Sequence, residues 1–178
     1  MQLSEAREIK ADPATVYAAI LDPVVLQACV PGAEEVTGNP QEGYQATVTQ
    51  KVGPVKATFK GTVTMSDMVE NQRITITGEG KGGAAGFAKG GARVTLEPLG
   101  EDATRLSYEV EAKVGGKLAQ LGSRLIDGFA RKMADQFFNN LQNAIEAPDA
   151  AEAEAAEAAA GAAPETARKG WFRKLTGG

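Results

Sequence analysis

The fold is decided by residues 44–65, YQATVTQKVGPVKATFKGTVTM, where apolar and polar residues alternate along two runs separated by Gly53-Pro54. The residues on one face are Tyr44, Ala46, Val48, Val52, Val55, Ala57, Phe59, Val63 and Met65. The other face is mainly Lys and Thr. A period of two is typical of half-buried strands, and Gly-Pro between two such runs predicts a hairpin.

The same alternation continues to Val114. Its further apolar members are Ile74, Ile76, Ala92, Val94, Leu96, Leu106, Tyr108, Val110 and Ala112. An edge strand is predicted over residues 2–10, and Pro13 and Pro23 each open a short helix. The second helix ends before Pro31-Gly32. The pattern predicts an antiparallel meander with one apolar face.

A helix that covers this face is predicted over residues 117–146. Its apolar residues, at three- and four-residue spacing, are Leu118, Leu121, Leu125, Phe129, Met133, Phe137, Leu141 and Ile145. They predict one helix of about 30 residues that contains Gly122 and Gly128. A curved antiparallel sheet around a long C-terminal helix, with two short helices, is an α+β helix-grip fold. Such a grip commonly leaves a cavity between sheet and helix.

The composition of the 178 residues restricts the chemistry. There is no His, which excludes Ser-His-Asp triads and His-ligated zinc. The single cysteine, Cys29, permits no intramolecular disulfide and is predicted to be a small buried apolar residue. No apolar run reaches the length of a membrane-spanning helix. We expect no enzymatic activity and a cytoplasmic location.

Charge divides the chain into three parts. Residues 1–146 carry a net charge of −3, residues 147–167 of −5 and residues 168–178 of +4. We predict a folded domain over 1–146, a disordered Ala/Glu-rich linker over 147–167 and a basic amphipathic tail over 168–178. Because the domain is mildly acidic and shows no basic stripe, nucleic acid is not expected as a partner.

The tail is predicted to touch the inner face of the cytoplasmic membrane, as a peripheral contact. The residues predicted to do so are Arg168, Lys169, Trp171, Phe172, Arg173, Lys174 and Leu175. Basic residues beside an apolar patch favour an anionic bilayer surface. The alternatives are docking on a partner protein and a disordered end.

Residues 78–91, GEGKGGAAGFAKGG, contain a G-x-G-x-x-G spacing that we do not interpret as a dinucleotide site, because a strand and not a helix follows it. The segment predicts either a hairpin or bulged strand pair, or a mobile gate over the cavity. In the second case Phe87 and Ala88 form its apolar lip.

Thirteen residues are predicted to line the cavity and bind the ligand: Leu26, Val48, Gln50, Phe59, Val63, Met65, Ile76, Phe87, Tyr108, Leu121, Leu125, Phe129 and Met133. The alternative is that they fill an ordinary core. The polar residues of inward parity are Glu5, Arg7, Gln50, Tyr44 and Tyr108. They either pair with one another or donate to a ligand carbonyl. Gly122 and Gly128 indicate either close helix–sheet packing or room for a ligand.

Several strings resemble one family. They are Cys29-Val30-Pro31-Gly32, KVGPVKATFKGTV at 51–63, GKGGAAGFAKG within the glycine-rich segment, and VGGKLAQLGSRLIDGFARKMADQFF at 114–138. Over residues 1–146 the chain resembles the family of the carbon monoxide dehydrogenase G subunit, within the START-like (SRPBCC) lipid-binding superfamily. The resemblance implies a START-like ligand-binding domain without redox metal or covalently bound cofactor. It also implies an apolar ligand and recruitment of a molybdenum hydroxylase-type dehydrogenase to the membrane.

Two functions follow as hypotheses. The first is a non-enzymatic carrier of a respiratory quinone, of the menaquinone or ubiquinone type, or of a lipid, serving electron transport between the dehydrogenase and the membrane. The second is a ligand-free adaptor or maturation factor that recruits the dehydrogenase. The second predicts a filled core.

Overall fold

The computed structural model describes residues 2–146, and within them seven strands form one curved antiparallel sheet. The strands are β1 (Gln2–Ile9), β2 (Ala33–Asn39), β3 (Gly43–Val52), β4 (Val55–Val69), β5 (Arg73–Lys81), β6 (Phe87–Pro98) and β7 (Thr104–Gly115). Their order in the sheet is β1-β7-β6-β5-β4-β3-β2. The predicted edge strand and meander are confirmed. Strand β2 was not predicted, because Val36 is its one buried residue and gives no readable alternation.

The helices are α1 (Pro13–Leu21), α2 (Pro23–Cys29) and α3 (Ser123–Glu146), with short 3₁₀ helices at Gly83–Ala85 and Gly116–Leu121. Both short α-helices begin at proline, as predicted, since the missing N–H costs nothing at a first helical position. The Asp22 side chain caps α2 by accepting a 2.9 Å hydrogen bond from the Val24 amide.

The predicted single helix over residues 117–146 is wrong in its first part. The chain leaves β7 as the 3₁₀ helix Gly116–Leu121, and α3 begins only at Ser123. Between them Gly122 has φ +92°, a left-handed conformation that an α-helix cannot contain. Leu118 and Leu121 therefore belong to a separate element and do not extend the apolar side of α3.

The sheet has two different ends. At one end lie the β2–β3, β4–β5 and β6–β7 turns, and there α1, α2 and the second half of α3 close over the inner face. We call this the closed end. Its buried cluster consists of Leu3, Ile9, Val16, Ile20, Cys29, Ile74, Val94, Leu96, Leu106, Tyr108, Phe138 and Leu141. The other, open end carries the β3–β4 turn and both 3₁₀ helices.

Side-chain hydrogen bonds hold the second half of α3 against α2 and β1. Asn140 Nδ2 donates to the Cys29 carbonyl at 2.9 Å, and Gln142 Nε2 donates to the Glu8 carbonyl at 3.0 Å. The Tyr108 and Phe138 rings stack with their centroids 4.0 Å apart. The helix is thus held against α2, β1 and β7 over the part that packs into the closed end.

Candidate ligand cavity

Small residues form the floor of the open end. Strand register places Ala46, Gly61, Gly80, Ala88 and Val114 side by side across β3 to β7. The next row toward the closed end is Val63, Gly78, Gly90 and Ala112. All of these residues are partly exposed, whereas Ile74, Val94 and Leu106 at the closed end are fully buried. The inner face is therefore packed at one end and uncovered at the other.

The glycines of this floor show how much space lies above it. A Cβ on Gly78 would come no nearer than 3.5 Å to another atom, the Val63 Cγ2. A Cβ on Gly80 would meet the Phe59 Cβ at 3.6 Å. Both distances are ordinary van der Waals contacts. Side chains would fit at these two positions, so the space above them is not filled by neighbouring atoms.

The first half of α3 faces this floor without filling the gap. Met133 lies one turn before Phe137, which packs against both buried clusters, so the two side chains share a side of the helix. Ile126, Phe129 and Met133 are half-buried, and Leu125 is 39% exposed. A Cβ on Gly122 or Gly128 would meet nothing within 4 Å. Of the two interpretations of these glycines, close helix–sheet packing is therefore wrong.

Five of the predicted ligand-binding residues belong to packed regions. Tyr108 lies in the closed-end cluster, and Met65 and Ile76 pack against it. Leu26 is buried in a second cluster with Val36 and Tyr44, against which Val63 and Met65 also pack. The contacts of these five residues are those of an ordinary core, as the alternative interpretation expected. Val63 also belongs to the floor, opposite Gly78, and for all five residues a ligand contact stays a prediction.

Another five lie at the open end outside both clusters. Val48, Phe59, Leu121, Phe129 and Met133 are half-buried and belong to neither group of packed residues. The uncovered floor also includes Val114 and Ala88, and Ile126 lies on α3. Sequence reasoning did not assign these as ligand contacts, although the alternation through Gly78 and Gly80 extends the inner face to Ala88.

Leu125 and Phe87 occupy positions at the rim. Leu125 lies against the β3–β4 turn, where a Cβ on Gly53 would be 2.8 Å from its Cδ2. Phe87 has the outward parity of Lys89 and is 42% exposed, with its ring over the Gly115 backbone. Phe87 starts β6 one position out of phase with the inward-facing Ala88, and its predicted contact with a ligand stays a prediction.

The glycine-rich segment is a strand pair with a tight connection, as the hairpin alternative expected. Strands β5 and β6 pair as far as Lys81 and Phe87, and Gly83–Ala85 forms the turn. The turn packs on the β7–α3 connection, where Gly86 and Gly115 approach so closely that a Cβ on Gly86 would lie 1.9 Å from the Gly115 oxygen. Ala85 and Leu118 are buried in this contact.

The inward-facing polar side chains have partners within the protein. Tyr44 Oη donates to the Leu21 carbonyl at 2.6 Å, and Tyr108 Oη donates to the Glu5 carboxylate at 3.2 Å. Burial, and then the nearby carboxylates, raise the pKa of both phenols, so they stay neutral. Gln50 Nε2 donates to the Pro31 carbonyl. Of the polar residues expected to pair with one another, Tyr108 and Glu5 do so, whereas Tyr44 and Gln50 donate to backbone carbonyls.

A groove of about 730 Å³ lies on the opposite, outer face of the sheet. It crosses β5, β6, β7 and β1 and is lined by charged residues of both signs, including Arg93, Glu109 and Glu111. This lining is unsuited to an apolar ligand. The groove is separate from the predicted cavity.

Two observations bear on the membrane. Within residues 2–146, neither α3 nor the shorter helices are long and apolar enough to cross a bilayer. The residues predicted to bind the membrane, Arg168 to Leu175, and the predicted linker lie outside the described part of the chain.

Residues 6–146 match the CoxG family model, which is that of the carbon monoxide dehydrogenase G subunit. A conserved protein from Geobacillus kaustophilus is similar in structure, with 25% identity, a TM-score of 0.75, and coverage of 82% of this chain and 95% of that one. A START superfamily protein from Mycobacterium smegmatis has 16% identity and a TM-score of 0.62, and the coverages are 82% and 97%.

The aromatase/cyclase Zhui from Streptomyces sp. R1128 shares the fold at 10% identity, with a TM-score of 0.59 and coverages of 82% and 93%. Among curated proteins, none matches this chain in sequence. The helix-grip, START-like fold predicted from the sequence is confirmed.

Proposed function

The chain belongs to the CoxG family, that of the carbon monoxide dehydrogenase G subunit, and we propose that it is a non-enzymatic carrier of a respiratory quinone or a similar lipid. In this proposal the cargo lies between the open half of the sheet and the first half of α3. The carrier links a molybdenum hydroxylase-type dehydrogenase, such as carbon monoxide dehydrogenase, to the cytoplasmic membrane.

The observation that carries the proposal is the uncovered apolar floor. Its inward positions at the open end are Gly, Ala, Val and Phe, with Gln50 as the polar exception among the strand residues of the described chain. Apolar surface left partly exposed inside a fold is stabilised when a ligand covers it. The ligand therefore has to be largely apolar and elongated enough to lie across several strands.

An isoprenoid chain fits this chemistry. Burying about 20 prenyl carbons removes several hundred Å² of apolar surface from water, on the order of 10 kcal/mol before the costs of binding. That free energy favours uptake from water. Because a bilayer solvates the same chain equally well, transfer from the membrane depends on contact between the carrier and the lipid surface.

The polar groups favour binding over catalysis. The Tyr44 and Tyr108 hydroxyls are neutral and donate to protein acceptors, so neither forms an acid–base pair poised toward the cavity. Gln50 holds the Pro31–Gly32 turn, where a Cβ on Gly32 would clash with its side chain. In the proposed function these groups keep the walls in place.

The test is organic extraction of the full chain, purified from a respiring host, followed by mass spectrometry. We expect about one isoprenoid quinone or lipid per chain. Gly78→Val adds a branched side chain to the cavity floor, with its Cβ at ordinary contact distance from neighbouring atoms, and should abolish the co-purified ligand. Thr77→Val, on the exposed outer face of the same strand, is the matched control and should retain it.

Two results would contradict the proposal. One is a wild-type chain that carries no stoichiometric lipid, which would leave the adaptor hypothesis. The other is equal ligand content in Gly78→Val and Thr77→Val, which would place the ligand elsewhere. Co-purification of the dehydrogenase should be unaffected by both substitutions, because neither alters a polar or charged surface group beyond Thr77.

A further inference from the structure

The outer face of the sheet carries a group of lysines at the open end. They are Lys51 on β3, Lys56 and Lys60 on β4, Lys81 on β5, Lys89 on β6 and Lys113 on β7. We call these six residues the lysine patch. They are exposed, and their strands meet at the end that carries the β3–β4 and β5–β6 connections. The absence of a basic stripe, expected from the sequence, is therefore wrong for the folded domain.

Strand register sets these lysines against one another. Lys51 lies directly opposite Lys56, Lys60 opposite Lys81, and Lys89 opposite Lys113. Like charges in directly opposed positions destabilise a sheet. Three such pairs lie at one end of the sheet, and the repulsion between their charges destabilises the free protein. Binding to an anionic surface would remove this repulsion.

The positive charge of the lysine patch is only partly offset by nearby carboxylates. Within residues 2–146 the ion pairs are Arg73–Asp67 and Arg131–Glu5, and neither involves a member of the patch. Four carboxylates lie on the same face: Glu79, opposite Lys89, Glu111, two residues before Lys113, and on β2 Glu34 and Glu35, which neighbour Thr49 and Thr47 of β3. Counting all four, the outer face at the open end keeps an excess of two positive charges.

An exposed aromatic residue lies within the lysine patch. Phe87 is the register partner of Lys81, precedes Lys89 by two residues, and covers Gly115, two residues after Lys113. Its ring is 42% exposed. At the same end, Leu125 is exposed beside the β3–β4 turn. Apolar side chains among these lysines match the layered chemistry of an anionic bilayer, with phosphates above acyl chains.

We propose that the lysine patch and Phe87 bind the surface of an anionic lipid bilayer, so that the open end of the cavity faces the membrane. This inference rests on the proposed carrier function and names the surface through which the cargo is exchanged. The bilayer is favoured over nucleic acid and over an acidic protein because the apolar rim and the cationic face coincide at the end where the floor is uncovered.

The first experiment measures co-sedimentation of the full chain with vesicles of phosphatidylcholine, with and without phosphatidylglycerol. Lys89→Gln/Lys113→Gln should lower the partition coefficient on anionic vesicles by about fivefold per lysine removed. Arg73→Gln/Arg105→Gln removes the same charge from the outer face at the closed end and is the matched control. Equal losses in the two variants would mean an effect of net charge and would overturn the proposal.

The second experiment separates this surface from the predicted basic tail. In Phe87→Trp/Trp171→Phe the one tryptophan of the chain stands in the lysine patch; in Met68→Trp/Trp171→Phe it stands on an exposed site near the closed end. With vesicles that contain brominated phosphatidylglycerol, the first variant should show quenching and a blue shift, and the second should show neither. Quenching at both sites or at neither would overturn the proposal.

The outcomes distinguish the two proposals. If the lysine variants bind vesicles like the wild type but still co-purify with an isoprenoid ligand, the docking surface is wrong and the carrier function stands. If they lose binding to single-stranded oligonucleotides and not to vesicles, the patch is a nucleic-acid site. If the wild-type chain binds anionic vesicles through Phe87 but carries no lipid, the docking surface stands and the carrier function fails.

Discussion

Gly61 and Gly80 are register partners on the cavity floor, yet only Gly80 has space for a side chain. A Cβ on Gly61 would lie 2.0 Å from the Glu79 carbonyl oxygen, which belongs to the backbone of the neighbouring strand. At Gly80 the nearest atom would be an ordinary contact at 3.6 Å. Gly61 is therefore needed for the close approach of β4 and β5, whereas Gly80 leaves a space.

We expect Gly61→Ala to lower the free energy of unfolding by about 2 kcal/mol, since backbone has to move to admit the methyl group. Gly80→Ala should be neutral or raise it by about 0.5 kcal/mol, because glycine in a strand interior is itself unfavourable. Urea denaturation of both variants measures the difference. Equal free energies of unfolding would show that the backbone near Gly61 moves apart to admit a methyl group without loss of stability.

Cys29 is 1% exposed, and desolvation raises the pKa of its thiol to about 11. Below the ordinary thiol value of about 8.5 both the folded and unfolded chains are protonated. Between that pH and 11 the unfolded chain loses the proton first, so folding loses stability as the pH rises.

We expect the wild-type free energy of unfolding to fall more steeply than that of Cys29→Ala between about pH 8.5 and 11, with a divergence on the order of 2 kcal/mol. Chemical denaturation over this range measures it, and the cavity cost of the substitution cancels because it does not depend on pH. Parallel curves would mean that the folded thiol ionises as readily as the unfolded one.

At the scale of elements, α3 and the segment before it show where sequence patterns mislead. Leu118, Leu121 and Leu125 continue the helical spacing, so the pattern predicts one helix. The pattern does not reveal the left-handed φ of Gly122, because a glycine inside a helix and a glycine that ends one look alike in sequence. The strands were readable because each keeps its alternation over many residues.

Gly122 and Gly128 form a natural pair for testing this break. Gly122→Ala should lower the free energy of unfolding by about 1 kcal/mol, because φ +92° strains an alanine. Gly128→Ala, inside α3 with nothing within 4 Å of the new Cβ, should raise it by up to about 1 kcal/mol. Thermal unfolding of both variants tests the signs. A stabilising Gly122→Ala would indicate that a continuous helix is accessible.

The two halves of α3 should differ in local stability. The second half contributes Phe138 and Leu141 to the buried cluster and makes side-chain hydrogen bonds to α2 and β1, whereas residues 123–133 contain no fully buried side chain. We expect backbone amides of residues 134–145 to exchange with deuterium more slowly than those of 126–133. Uniform protection along α3 in the ligand-free chain would contradict this division.

For the whole molecule, the feature that could not be predicted from the sequence is the register in which the strands pair. The alternation shows which residues of each strand face inward, and so the fold class could be predicted from the sequence. It does not show that Gly61 lies beside Gly80, or that Lys89 lies beside Lys113, since these neighbours belong to different strands. The cavity floor and the lysine patch form only when the strands pair in this register, so neither could be predicted from the sequence of any one strand.

Charge is also divided along the length of the sheet. In or beside its turns the closed end carries eight acidic residues and three basic ones, a net negative charge: Glu8, Asp12, Glu42, Asp67, Glu70, Glu97, Glu101 and Asp102 against Lys10, Arg73 and Arg105. The open end carries the lysine patch. A domain so divided has an electric dipole along its strands, and the field of an anionic surface exerts a torque on it before contact. Under the proposed membrane docking, the domain would rotate as it approaches and arrive with its open end first, so that fewer encounters with the membrane are unproductive.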